Sequence, residues 1–292
     1  MPQIIHYHLM KINQYKASFI NQIAPIYDNQ EAQSFFYIVL EHIHQLKRLH
    51  LALNHQVEMT DNQLQEWQKI VSALQTKKPI QYILGETEFY GLKFIVNQNT
   101  LIPRPETEEL VQLILNSNFT DFTNLKILDI GTGSGCIAIA LAKNLPNVSV
   151  YALDVSEEAL QIAKLNAHCN NVNITFLHQN ILETSNLHEQ FSIIVSNPPY
   201  VRNLEKQEIH KNVLEYEPHL ALFVEDNDAL LFYRKITELA VKNLSERGQL
   251  YFEINQYLGK ETVALLEKMS FKNIELRKDI YGNDRMIRCD KS

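Results

Sequence analysis

Asn197-Pro198-Pro199-Tyr200 closes the apolar run Phe191–Ser196 and gathers groups able to hold a flat amino group. An apolar, β-branched run of this length predicts a buried parallel strand, with the tetrapeptide at its carboxyl end. In open α/β sheets that end is where ligands are handled. The two prolines fix two φ angles and remove two N–H donors, and Pro198 holds Asn197 extended. What remains is a stiff turn of acceptors: the Asn197 side-chain oxygen and the carbonyls of Asn197 and Pro198, with the Tyr200 ring beside them. Such a site suits a carboxamide or an amino-nucleobase. A rigid strand-to-loop joint is the plain structural alternative.

A second constellation lies upstream. Only eight glycines occur, and three fall in Asp129-Ile130-Gly131-Thr132-Gly133-Ser134-Gly135, after a predicted strand and before a predicted helix. Glycines there allow a tight turn and close approach of a ligand to the backbone. Asp154 ends the next strand, where a carboxylate can accept both hydroxyls of a ribose; helix capping is its other use. A dinucleotide fingerprint would place its third glycine at position 136, which is Cys136. The amides that open the following helix still favour an anion, including an amino-acid carboxylate. S-adenosylmethionine, with an adenosine and a carboxylate but no pyrophosphate, is therefore the better match than NAD.

Alternating strand and helix signals must position these residues. Strands are predicted at 125–130, 148–153, 173–177, 191–196 and 249–254, with final strands at 272–276 and 286–289. Helices are predicted at 136–144, from Ser156 onward, at 229–243 and at 259–269. This alternation predicts an α/β fold with a mostly parallel sheet and helices on both faces. Before it, residues 1–76 read as helices only, with Thr60 and Gln63 placed as a capping box. His42 and His44 cannot share a helix face, so a solvated surface is expected there rather than a metal site. Residues 77–107 read as an ordered connector, with a hairpin around Gly91. In its Pro-braced turn, Arg104, Glu106 and Thr107 either cover the cofactor or meet the substrate; alternatively Thr107 is an N-cap. Glu253 reads as either a core carboxylate or a residue lining the substrate entry.

The 292 residues carry a net charge of −7, which gives no support to a broad nucleic-acid grip. Cys136, Cys169 and Cys289 lack metal-type spacing and are expected to be reduced thiols. No apolar stretch is long enough to span a membrane, and the first residues lack a signal-peptide pattern. A cytoplasmic, monomeric protein without a metal is expected.

Asp129–Gly135, Asp154 and Asn197–Tyr200 resemble the motifs of class I S-adenosylmethionine-dependent methyltransferases that modify planar amino groups. Pro79–Gly85, Glu88–Gly91 and Leu101–Glu108 are similar to the connector of the HemK/PrmC-type N5-glutamine methyltransferases, and Asp279–Met286 is similar to that family's ending. The likeness spans residues 77–290. It implies a Rossmann-like class I methyltransferase domain at 108–292, with the bundle at 1–76 recognising a protein substrate. The reaction implied is methylation of the glutamine in the Gly-Gly-Gln motif of class I peptide-chain release factors. The resemblance assigns Gly131, Thr132, Gly133, Ser134 and Gly135 to the methionine end of the cofactor and Asp154 to the ribose. It assigns Asn197 and Pro198 to the substrate amide and, with Pro199, Tyr200 to the substrate side chain. Where the family carries an acidic residue and then an aromatic one near the adenine, this chain has Asn180-Ile181, expected on the cofactor side with Asn197. The Asn180 side-chain oxygen can still accept from the adenine amino group, while stacking is lost at Ile181. Where the family favours Glu-Ile-Gly, it has Glu253-Ile254-Asn255. N6-adenine methylation, and methylation of a ribosomal-protein glutamine, are the alternatives for the same acceptors. Adenine would require base extrusion and a basic, stacking-rich accessory region, for which this chain offers little.

Overall fold

Helix caps and one aromatic cluster account for the first unit of the chain. The computed structural model describes residues 10–117 and 124–292, divided into compact units that end at Gly85 and begin at Glu86. The first unit holds β1 (Met10–Lys11), α1 (Ile12–Ile23), α2 (Asn29–His44), α3 (Arg48–Leu53), β2 (Glu58–Met59), α4 (Asp61–Gln75) and α5 (Ile80–Leu84). Asp28 caps α2 by accepting from Glu31 N. Thr60 and Gln63 form the expected capping box on α4. Trp67 is fully buried and meets Tyr15, Phe19 and Phe36. Its indole N–H donates to His44 Nε2 at 3.0 Å. Burial lowers the His44 pKa despite Glu66 nearby, which favours the neutral ring that can accept that bond. His44 is thus a half-buried hydrogen-bond partner of the core, not the solvated residue that its spacing suggests.

The unit boundary also differs from the expected one at residue 76. Ile80–Leu84 forms α5 and packs with α2 and α4, because Ile80 and Tyr82 are buried. The stretch read as a connector is therefore shared between the units. Its later part opens the second unit with β3 (Glu86–Phe89) and β4 (Leu92–Ile95). Tyr90 and Gly91 join them, both at positive φ (51° and 70°), the conformation of a two-residue hairpin turn that matches strand twist.

The rest of this unit runs α6 (Pro105–Leu115), β5 (Leu125–Ile130), α7 (Cys136–Asn144), β6 (Val148–Asp154), α8 (Glu157–Cys169), β7 (Ile174–His178), β8 (Phe191–Ser196), β9 (Val201–Arg202), α9 (Lys211–Tyr216), β10 (Phe223–Val224), α10 (Leu231–Asn243), β11 (Leu244–Glu253), α11 (Gly259–Lys268), β12 (Lys272–Lys278) and β13 (Asp284–Asp290). The central sheet has the order β12-β13-β11-β8-β5-β6-β7. Only β13 is antiparallel to its neighbours β11 and β12; the other pairings are parallel. Side chains alternate between two cores, as strand geometry requires. Ile127, Ile193 and Tyr251 pack with α6, α7 and the hairpin, while Leu128, Ile194 and Phe252 pack with α10 and α11.

Asn166 on α8 ties the hairpin to the loop after β5. Fully buried, it donates to the carbonyls of Ile95 and Ser134, both at 2.9 Å, and accepts from Ile95 N at 2.6 Å. A buried polar group stripped of its partner costs about 1–3 kcal/mol. Asn166→Leu strips three, so we expect it to lower the unfolding free energy by about 3 kcal/mol, read from the urea midpoint. An unchanged midpoint would assign the fastening to other contacts.

Candidate active site

The ends of β5, β6 and β8 converge where strand order reverses between β5 and β8, the crevice at which open α/β sheets bind ligands. A cavity of about 310 Å³ lies there. Gly131, Gly133, Asp154, Asn180, Ile181 and Asn197 are among the residues that line it, as are Pro198 and Pro199. Gly131 and Gly133 have φ of +73° and +54°, and a Cβ on either would enter open space. A side chain at either position would be strained and would fill the site.

The loop is held at both ends. Gly131 N and Thr132 N donate to the Leu153 carbonyl at 2.8 and 3.1 Å. Asp154 Oδ2 accepts from Gly133 N at 2.8 Å, and its Oδ1 accepts from Ser156 N at 2.9 Å. Each carboxylate oxygen keeps a lone pair for a further donor. Burial raises the Asp154 pKa, and those two backbone bonds work against the rise.

Other expected cofactor residues do different work. Gly135 (φ +83°) would press an added Cβ to 3.0 Å from Ile139 Cδ1 and 3.2 Å from Ala163 Cβ, so it permits close packing of α7 on α8. Neither Thr132 nor Ser134 lines the cavity: Thr132 donates to Asp129 Oδ2 at 2.6 Å, and the Ser134 carbonyl takes the Asn166 bond. Asn180 spends its side-chain oxygen on Leu182 N at 3.0 Å. Phe232 of α10 brings an aromatic face to the cavity, although Ile181 does not. Sequence periodicity made Phe232 part of a helix but gave no sign that it reaches the strand ends.

The tetrapeptide has a polar support behind it. Asn197 Nδ2 donates to Thr107 Oγ1 at 3.2 Å, and the Tyr200 hydroxyl donates to Glu253 Oε1 at 3.1 Å. Thr107 Oγ1 donates to Glu253 Oε2 at 2.6 Å. Tyr200 is turned to this carboxylate and is not a lining residue. Thr107 is no N-cap: α6 starts at Pro105 with Arg104 in the cap position. Arg104 pairs with the buried Glu217, which also accepts from Ile102 N at 3.2 Å. Asn255, where the family favours glycine, donates to the Tyr200 carbonyl and to Glu205 at 2.9 and 2.8 Å.

The model of the "PrmC N-terminal domain" family matches residues 21–85, and that of the "Methyltransferase small domain" matches 108–220. A "Release factor glutamine methyltransferase" of Flavobacterium psychrophilum is 66% identical, over 96% of this chain and 99% of that protein. The chain belongs to the release factor glutamine methyltransferase family. A family member from Bacteroides thetaiotaomicron is 41% identical over 96% of this chain and its own full length. Among solved structures, the hMettl16 catalytic domain, crystallised with an RNA hairpin, has a TM-score of 0.52 at 16% identity, over 80% of this chain and 82% of that chain. That last likeness bears on the fold alone.

In this release factor glutamine methyltransferase family member, no described helix is long and apolar enough to cross a membrane. Among the described residues, no group of His, Cys, Asp or Glu could hold a metal ion. Besides Asp154, the glycine loop has a second carboxyl beside it, the fully buried Asp129. Burial pushes its carboxyl up to about 7 from the usual 3.8, against the Thr132 bond and with a contribution from Asp154. The folded value exceeds the unfolded one. The folded state therefore holds the proton more tightly, and ionisation destabilises it increasingly between about pH 4 and pH 7. Relative to the parent protein, Asp129→Asn is expected to gain about 2.5 kcal/mol on moving from pH 5 to pH 8 without cofactor. Denaturant titrations at the two pH values check this; a pH-independent difference would place the titration elsewhere.

Proposed function

We propose that this chain transfers the methyl group of S-adenosylmethionine to the N5 amide nitrogen of the Gly-Gly-Gln glutamine in class I peptide-chain release factors. One observation carries the reading: Gly131, Gly133 and Asp154 line the same cavity as the acceptor turn at Asn197–Pro199. The name borne by the 66% identical relative supports the choice of substrate. The residues present suit the cofactor. An open cradle over two positive-φ glycines admits its amino-acid end, Asp154 suits the ribose, and Ile181 with Phe232 offers apolar surface to the base. Bound there, the cofactor supplies an electrophilic methyl on a sulfonium, whose sulfur keeps the electron pair of the broken bond as the amide nitrogen takes the carbon.

The chain's own residues address the weak nucleophile. An amide lone pair is delocalised into its carbonyl, so the nitrogen gains from acceptors that hold both of its hydrogens. Asn197 Oδ1 and the Pro198 carbonyl are assigned that work. Well-oriented reactants gain about 7–11 kcal/mol from positioning alone, and fixed acceptors favour positive charge building on nitrogen. The proton leaves after transfer, past those acceptors, to solvent. We assign substrate-protein recognition to the helical unit. The chain is expected to act as a monomer in the cytoplasm, with no stable nucleic-acid partner.

Incubation with labelled S-adenosylmethionine and purified release factor, its Gln→Ala variant or total nucleic acid tests this. Label is expected on the release factor and lost in the Gln→Ala variant. Label in nucleic acid alone would replace this reading with nucleobase methylation.

A further inference from the structure

A buried carboxylate stands behind the acceptor turn. Glu253, the last residue of β11, is 1% exposed, and Thr107 is 2% exposed. Two distant sequence blocks bond to it, Thr107 in the first turn of α6 and Tyr200 of the tetrapeptide, while Asn197 reaches it through Thr107 and Arg285 of β13 adds a positive charge nearby. Arg285 is anchored by Asp279 Oδ2 at 3.2 Å and donates to the Ile254 carbonyl at 3.4 Å. Burial raises the Glu253 pKa; the Thr107 bond, the Arg285 charge and the Tyr200 bond work against the rise, while Glu106 adds to it.

We propose that Glu253 is a positioning residue that fixes, through Thr107, which end of the Asn197 amide faces the reacting nitrogen. This rests on the methyltransferase reading above. The two ends of an asparagine amide have nearly the same shape, so only neighbours decide which points where. A threonine hydroxyl has one proton. Glu253 Oε2 takes that proton at 2.6 Å. The Thr107 oxygen is then left to accept, and Asn197 must offer it Nδ2, as found at 3.2 Å. The acceptor Oδ1 is thereby left for the cavity that Asn197 lines. The other carboxylate oxygen takes the Tyr200 proton at 3.1 Å, so one group sets both ends of the tetrapeptide. Without that acceptor, the Thr107 proton is free to turn to Asn197 Oδ1. The amide then reverses and presents an NH2 to the substrate's own NH2, two donors face to face.

The test compares the parent protein with Glu253→Gln, Thr107→Val and Thr107→Ser. Glu253→Gln and Thr107→Val are expected to lower kcat on the release factor by about tenfold or more, with S-adenosylhomocysteine affinity within about threefold. Thr107→Ser keeps the hydroxyl and is expected to keep kcat within about threefold. Near-parental kcat in Thr107→Val, or a loss in Thr107→Ser as deep as in Thr107→Val, overturns the proposal. A second readout needs no turnover: the side-chain amide signals of Asn197 in ¹⁵N-asparagine-labelled protein, assigned by their loss in Asn197→Ala. They should move in Thr107→Val and hold in Thr107→Ser, with S-adenosylhomocysteine bound in both. Unmoved signals in Thr107→Val overturn the proposal. A parent protein that labels no release factor would sink the functional reading instead, and the amide signals would still decide the positioning claim.

Discussion

Asn197→Ala lowers kcat on the release factor by about a hundredfold and leaves S-adenosylmethionine affinity within a few-fold. The expectation comes from where the side chain is held. Asn197 touches Thr107 on its far side and the cavity on its near side, so truncation removes an acceptor aimed at the reacting group. Removal of one fixed polar group that meets developing charge costs on the order of 10²–10³ in turnover. The glycine loop and Asp154 keep their own bonds in this variant, which is why the cofactor should still bind. Steady-state kinetics with calorimetric cofactor titration separates the two quantities. A hundredfold loss of affinity with kcat preserved would reassign Asn197 to cofactor binding.

Asp154→Ala is the second large effect, and it falls on the other partner. Its carboxylate accepts from Gly133 N and Ser156 N while lining the cavity. Truncation strands two backbone donors and removes the acceptor assigned to the ribose. Hydrogen bonds to charged groups are worth about 1.5–3 kcal/mol each. Loss of the ribose pair together with a slackened loop should raise the cofactor Kd by about a hundredfold or more. Asp154→Asn is no silent substitute, because its NH2 must face one of the two N–H groups. A Kd within about threefold of the parent value in Asp154→Ala would remove Asp154 from the cofactor site.

Legibility in the sequence followed distance along the chain. Gly131, Gly133, Asp154 and the tetrapeptide stand at strand ends, and residue type plus local pattern is enough to place such residues. Ser156 as the cap of α8 is legible for the same reason. Gly135 looked like its two neighbours because a glycine pattern does not say which member faces a ligand and which faces a helix. That distinction comes from the approach of Ala163 on α8. The pairing of Thr107 with Glu253 joins residues 146 apart, so no window on the sequence contains it. In the sequence Asn255 is only a departure from the family's glycine; its bonds to the Tyr200 carbonyl and Glu205 exist only once β11 lies beside β8. The segment from Val201 to Val224 lacks clear periodicity, yet it contributes Glu217, which binds Ile102 and Arg104.

Sheet order also sets a timetable. β13 lies between β11 and β12 although it follows both in the chain. A ribosome delivers β5, β6, β7 and β8 first, and these are already one continuous parallel block. The glycine loop and Asp154 belong to that block. β11 keeps an unpaired edge until Asp284–Asp290 emerge, and the same segment brings Arg285 to Glu253. The glycine loop, Asp154 and the acceptor turn after β8 are therefore all made before the strand that completes the support behind that turn.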